Sequence, residues 1–404
     1  MKILISTFTY PPNADGVAEA SAVLARGLAA RGHLVTVATA HHPERKSNAL
    51  GANPQVEQFN ISNSDTRPVE EWQRYQQFVR NVDCDVMVFE CWDSWTTRLI
   101  RPFLSGINAK KVLVSHGYAA HLWTPYRKFA WGLGSWLKRI PEVLALPFVL
   151  RKYDHVVFLS QRAAWDRFLD HWVAKKTGFQ HCSVIPNGAF TKEFADSSLS
   201  FRESFGIGSG PLLLYVANYC DRKNQLMALR AFRHARLENA TLVFIGSEFN
   251  EYSVALQNLD NQLKTEFKPG RVVLLEKVSR ELTCAAYRDA DLFVLSAKAE
   301  TQPIVLFEAM ASKTPWLSTD VGCVAELPGG IVARSEGELN REMKALLDSP
   351  ERRNQLSREG WTASQQTYDW ERVVATYESL LQSFANHHPV AGDRTSRNLV
   401  AAPE

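Results

Sequence analysis

Short apolar runs alternate with helical stretches along the whole chain. Lys2–Ser6 reads as a buried strand, followed by a Pro-Pro loop and a helix from about Val17 to Arg31. After Gly32-His33 a second strand is predicted at Leu34–Ala38, and further ones at Asp85–Phe89, Lys111–Ser115, His155–Leu159 and Ser183–Ile185. Pro186-Asn187-Gly188 closes this half. A second series starts at Leu212–Ala217 and continues through Thr241–Gly246, Val272–Leu275, Leu292–Ser296 and Trp316–Ser318. Apolar strands separated by helices build parallel sheets with crossover helices. Two such series predict an α/β protein of two Rossmann-like domains, at residues 1–190 and 191–367, whose sheets face a central cleft. The break falls in the Ser- and Gly-rich stretch 188–208. Glu351–Phe384 reads as helices, while 386–404 is polar, lacks an apolar period and is expected to be disordered.

Length agrees with two domains, since 404 residues exceed what one hydrophobic core organises. A formal charge of +3 excludes a global nucleic-acid field. The six cysteines form no C-x-x-C pair and no zinc spacing, which favours reduced thiols in a cytosolic protein. Ile3-Leu4-Ile5 is too short for a signal segment. The longest apolar run, Val143–Leu150, is interrupted by Pro147 and falls far short of the roughly 20 residues of a membrane span. The expectation is a protein that is neither exported nor membrane-spanning.

Chemistry concentrates in Ala299-Glu300-Thr301-Gln302-Pro303-Ile304-Val305-Leu306-Phe307-Glu308-Ala309-Met310-Ala311, where two glutamates stand eight residues apart at a strand-to-helix junction. Asp289-Ala290-Asp291-Leu292-Phe293-Val294-Leu295-Ser296 precedes it, and Pro315-Trp316-Leu317-Ser318-Thr319-Asp320-Val321-Gly322 follows. This region resembles the nucleotide-sugar site of retaining glycosyltransferases of family four (group 1 type), which have the GT-B fold. The resemblance implies that a final helix, about 368–385, packs back on the first domain. It also implies that Glu308 accepts hydrogen bonds from ribose hydroxyls and that Glu300 faces the transferred sugar.

The family pattern has Gly-Phe-Gly after the first glutamate, where Thr301-Gln302-Pro303 stands here. Pro303 lacks an N–H but suits a helix start; Gln302 is expected to offer its side-chain amide instead. Ile304 and Val305 would present free N–H groups and the positive end of a helix dipole to the diphosphate. Tyr215-Val216-Ala217-Asn218-Tyr219-Cys220-Asp221-Arg222-Lys223-Asn224 is similar to the family's second phosphate element. There Lys223 matches the phosphate lysine, Asn218 replaces an arginine, and Arg222 supplies charge from the next turn. In Tyr10-Pro11-Pro12-Asn13-Ala14-Asp15-Gly16, Gly16 keeps one half of a family glycine pair. Asp15 replaces the other half and either caps the helix or contacts acceptor. His116, in Val114-Ser115-His116-Gly117-Tyr118, matches a histidine placed against the donor sugar, with no need to act as a general base. The catalytic residues so implied are His116, Glu300 and Lys223.

Asp83-Cys84-Asp85 and Asp289-Ala290-Asp291 spell the D-x-D of metal-binding transferases, but each precedes a strand at its amino end. They read as turns, and neither metal nor other cofactor is expected. The acceptor side falls to the first domain, where Asp15, Trp92, Tyr118 and His121 are candidates, the aromatics either stacking on sugar or packing in the core. Residues 127–152 carry six Lys or Arg and one acid, Glu142, with apolar residues at helical spacing. The segment either lies on an anionic membrane near a lipid-linked acceptor or packs as a crossover helix. The expected function is metal-independent, retaining transfer of a hexose-type sugar from a nucleotide diphosphate to a saccharide or lipid-linked saccharide, in polysaccharide, lipopolysaccharide or glycoconjugate synthesis. The alternatives are a degenerate partner subunit, or a phosphorylase- or epimerase-like enzyme acting on sugar phosphates; nothing resembles a phosphorylase's pyridoxal lysine.

Overall fold

Two sheets carry the molecule, and every strand pair named in them is parallel. The first contains β1 (Lys2–Ser6), β2 (Leu34–Ala40), β3 (Gln55–Phe59), β4 (Val86–Glu90), β5 (Lys110–Ser115), β6 (His155–Phe158) and β7 (Cys182–Val184), in the order β3-β2-β1-β4-β5-β6-β7. The second contains β8 (Leu212–Val216), β9 (Thr241–Gly246), β10 (Arg271–Glu276), β11 (Leu292–Leu295), β12 (Trp316–Thr319) and β13 (Gly330–Ala333), in the order β10-β9-β8-β11-β12-β13. The computed structural model describes residues 1–46, 51–61, 69–117, 140–164, 167–195, 199–267 and 270–385. In both sheets winding reverses beside the first strand. The loops after β1 and β4, and after β8 and β11, therefore part at the carboxyl edge and leave a crevice where such sheets bind ligands.

Central strands are buried on both faces, so Ile3, Leu4 and Ile5, or Leu292 to Leu295, form unbroken apolar runs. β3 and β13, each at a sheet edge, went unpredicted because their own sequences signal a strand weakly. Gln55-Val56-Glu57-Gln58 has a single apolar residue, with Glu57 paired to Arg74, and β13 opens on a glycine. The D-x-D turns sit at the amino edge and stitch strand starts together. Asp85 accepts from Lys2 N at 2.8 Å, and Asp291 from Leu212 N at 2.8 Å.

The chain passes between the sheets twice, side by side. Ala189 N donates to Tyr368 O at 2.9 Å, Trp370 N donates to Ala189 O at 3.3 Å, and Thr191 Oγ1 donates to Asp369 Oδ2 at 2.6 Å. The helix Trp370–Ala385 then joins the core of the first sheet through Trp370, Val373, Val374, Tyr377 and Leu381, against the helix Gly16–Ala30. Close approach needs Gly27, where a Cβ would stand 2.8 Å from both Val374 methyls.

At the crossing a Cβ on Gly188 would lie 2.3 Å from Tyr368 O, a backbone atom with little room to yield. Gly188→Ala is therefore expected to cost about 1–3 kcal/mol, read as a lower urea midpoint. Wild-type stability would show that the crossing is loosely packed.

Candidate active site

The loops after β8 and β11 meet at the crevice of the second sheet. Glu300 Oε1 takes Lys223 Nζ at 2.5 Å and Arg222 Nη1 at 3.1 Å; the same Nη1 reaches Ala299 O at 3.1 Å. Lys223 is held from behind by buried Tyr215, whose hydroxyl donates to Lys223 O at 2.5 Å and accepts from Ser296 N at 3.1 Å. Burial pushes the Tyr215 hydroxyl pKa up, so it remains a proton donor. Asn224, with φ of 53°, then turns the chain into the helix Gln225–Ala235. Gly322 presses on the Glu300 loop from the other side: at its φ of +49° a Cβ would come within 2.0 Å of Thr301 O and 2.6 Å of Glu300 O. Only glycine tolerates both that conformation and that approach.

Pro303 ends the loop as N-cap of the helix Ile304–Ala311. Ile304 and Val305 thus head a helix, where the first N–H groups have no intrahelical partner. One turn on, Glu308 is buried and doubly held, its Oε1 by Arg280 Nη1 at 2.5 Å and its Oε2 by the Tyr287 hydroxyl at 2.8 Å. Arg280 also grips Glu193 Oε2 through Nε at 3.0 Å and Nη2 at 2.7 Å. Burial works against the guanidinium's charge, yet the two carboxylates more than offset it and raise its pKa.

The first domain forms the facing wall. A Cβ on Gly16 would lie 3.7 Å from Ile304 Cδ1, so two helix starts, one from each domain, stand head to head. Asn218 Nδ2 donates to Ala14 O at 3.4 Å across the same gap. Past β5, His116 Nε2 lies 2.7 Å from Glu90 Oε2, and Gly117, at φ +86°, backs onto Thr301, whose methyl would be 2.8 Å from an added Cβ. His116 is thereby delivered beside the Glu300 loop. Glu19 opens onto the crevice from the first helix, and its carboxyl pKa is raised. Desolvation by the crevice walls is the main cause; Glu308 and Glu193 add to it, and Arg280 and Arg26 oppose it.

Two expectations are corrected. Gln302 does not offer its amide to a sugar: it is buried, its Oε1 accepting from Asn187 N at 2.7 Å and its Nε2 donating to Leu159 O at 2.6 Å. Both bonds run to the first sheet, so the side chain is a tie between domains. Trp92 is no stacking platform, being 4% exposed and packed on Tyr153, with the Arg101 guanidinium 5.2 Å from its ring centroid. Asp15 resolves as a cap, its Oδ1 accepting from Val17 N and Ala18 N at 3.0 Å each, so a fixed carboxylate takes the first N–H groups of that helix. Tyr118 and His121 lie outside the described residues. Sequence reading missed Glu90, Arg280, Tyr287 and Glu193. A glutamate closing an apolar strand, as Glu90 does, was the one available signal; the others reach Glu308 only through the fold.

Family models match both halves of the chain. The chain matches the model for glycosyl transferases group 1 over residues 198–361 and that for glycosyltransferase family 4 over residues 14–193. It belongs to the group 1 glycosyltransferases of family 4 type. Sucrose-phosphate synthase from Thermosynechococcus elongatus superposes with a TM-score of 0.76 at 18% identity, over 96% of this chain and 100% of that one. HepE of Anabaena, in complex with UDP and glucose, gives 0.71 at 16% identity over 95% and 100%. WaaG, a glycosyltransferase involved in lipopolysaccharide biosynthesis, gives 0.66 at 17% identity over 94% and 99%. At these identities they establish the GT-B fold. An uncharacterized glycosyltransferase of Methanocaldococcus jannaschii is 31% identical over 152 residues, and the match spans 36% of this chain and 37% of that curated relative.

In this glycosyltransferase Gln302→Leu strands the buried Asn187 N–H and Leu159 C=O. The expected loss is about 1–3 kcal/mol, with a larger radius of gyration in solution scattering as the domains part. An unchanged radius and melting point would remove Gln302 as an interdomain tie.

Proposed function

We propose that this glycosyltransferase moves a hexose-type sugar, with retention, from a nucleotide diphosphate to a saccharide or lipid-linked saccharide acceptor in polysaccharide, lipopolysaccharide or glycoconjugate synthesis. One observation carries the reading: Lys223, Arg222 and Glu300 form a single ion cluster close to the head of the helix that bears Glu308. Two cations and free helix N–H groups suit a diphosphate whose charge grows as the sugar departs. When a diphosphate takes Lys223 and Arg222, Glu300 is released to the hydroxyls of the sugar. Glu308 keeps lone pairs for the ribose, since a carboxylate has about four acceptor sites. His116, oriented by Glu90, contacts the sugar at the reacting centre.

Transfer then follows a front-face course: the sugar–phosphate bond breaks, and the departing phosphate oxygen receives the acceptor hydroxyl's proton as the new glycosidic bond forms on the same face. No protein nucleophile enters. Side-chain cations and the helix head meet the diphosphate charge, and both D-x-D pairs stand at the opposite edge of their sheets, so the reaction is read as metal-independent. HepE, crystallised with UDP, supports a nucleoside diphosphate as the leaving group.

A second observation favours contact with an anionic membrane. Leu144 and Phe148, one turn apart in the helix Ile140–Leu150, are each 69% exposed, with Arg151 and Lys152 exposed just beyond. Lys138 and Arg139 lie outside the described residues. Among the described residues no helix is long and apolar enough to cross a membrane.

Melting-point shifts with UDP-, GDP- and ADP-sugars should single out one donor, and that donor should be hydrolysed slowly without acceptor. Lys223→Ala is expected to cut this release by about 100- to 1,000-fold and Glu308→Ala to abolish it. Donor binding without any turnover would instead favour the inactive-partner alternative. For the membrane reading, phosphatidylglycerol vesicles should co-sediment the wild type and lose the double variant Leu144→Glu, Phe148→Glu; equal sedimentation of the two would refute it.

A further inference from the structure

The group that holds Glu308 is itself held, and this has a consequence for nucleotide recognition. Glu308 offers one oxygen to Arg280 and the other to Tyr287. Tyr287 is fully buried and Glu308 nearly so, and the Arg280 guanidinium lies 5.3 Å from the Phe194 ring centroid. Nε and Nη2 of Arg280 both reach Glu193, which lies in the turn Thr191–Phe194 just after the chain crosses between the sheets. The planar guanidinium thus joins a carboxylate in the crevice to a carboxylate on the interdomain crossing, and a lysine ammonium cannot reproduce that fork.

We propose that Arg280, braced by Glu193, is the positioning residue for ribose recognition, holding Glu308 in the pose that accepts the two ribose hydroxyls. The inference rests on the reading of Glu308 as the ribose acceptor. With one donor on each oxygen, the carboxylate can rotate about neither its terminal torsion nor its stem. The lone pairs left over on its two oxygens face a fixed direction, which matches a vicinal diol better than a single hydroxyl. Fixing the pose before the ligand arrives removes an ordering cost from binding. Arg280 touches neither the sugar nor the phosphates in this scheme, so its removal weakens ribose contact and leaves the chemical step alone. The position of Glu193 also makes ribose affinity sensitive to the crossing, far from the reacting atoms.

The test is titration calorimetry on the full chain with UDP, GDP and ADP, followed by the 2′,3′-dideoxy form of whichever binds best. Wild type should bind the ribonucleotide at least about tenfold more tightly than the dideoxy form, the value of one or two charge-assisted hydrogen bonds. Arg280→Gln should lose roughly tenfold on the ribonucleotide and less than about twofold on the dideoxy form. Arg280→Lys should recover part of the loss, and Glu193→Gln should weaken binding with the same selectivity by a smaller factor. In turnover, KM for the donor rises and kcat holds. Equal losses on both nucleotides would make Arg280 a mere prop of the fold, and no loss would make it a bystander; either overturns the proposal. A wild type indifferent to the ribose hydroxyls overturns the reading of Glu308 itself, and the Arg280 inference with it, an outcome visible before any variant is made.

Discussion

One carboxylate oxygen of Glu300, shared by Lys223 and Arg222, ties together the two loops that diverge at the switch point of the second sheet. Each loop comes from a different strand, and neither has a regular element to stiffen it. The Tyr215 hydroxyl braces the Lys223 backbone, and Gly322 lets a third loop press against the backbone of Thr301 and Glu300. A cationic pocket without a ligand would be self-repulsive. The glutamate removes that problem and also presets the spacing of the cations, which is what a polyanion needs of a binding site.

The Glu300 loop is also the joint between the domains. Gln302 bonds to the ends of β6 and β7, Thr301 packs under Gly117, and Ile304 meets Gly16. Farther along the interface Arg167 Nη1 pairs with Asp320 at 2.8 Å, and Ser160 donates to Glu326 at 2.9 Å. Residues that would line a donor pocket are therefore neighbours of residues that fix how the domains sit. The substitution of Thr-Gln-Pro for the family's Gly-Phe-Gly acquires a physical reading in this light: the chain gives up flexible backbone at the site and gains a buried amide across the junction.

Legibility varied with the range of the interactions. Lys2–Ser6 and Thr241–Gly246 appear as strands within the bounds expected of them, because strands buried on both faces need unbroken apolar residues, whatever surrounds them. β3 escaped because three of its five residues are polar, and β13 because it is only four residues long and opens on a glycine. Glu300, Glu308 and Lys223 were reached through family motifs that sit at strand ends and a helix start, which are local features.

Composition and periodicity thus determined the fold class and the two sheets, set by contacts along a strand or within one helical turn, while the motif resemblance singled out the candidate charges of the site. Tertiary structure alone decided what those charges face. It turned Gln302 from a ligand donor into a tie, put Trp92 in the core, settled Asp15 as a cap and brought Arg280 and Tyr287 to Glu308. A hydrogen bond across 115 residues, as between Asn187 and Gln302, leaves no period in the sequence. The partner of a polar side chain is fixed by which loops the packed sheets bring together, and no local preference encodes that.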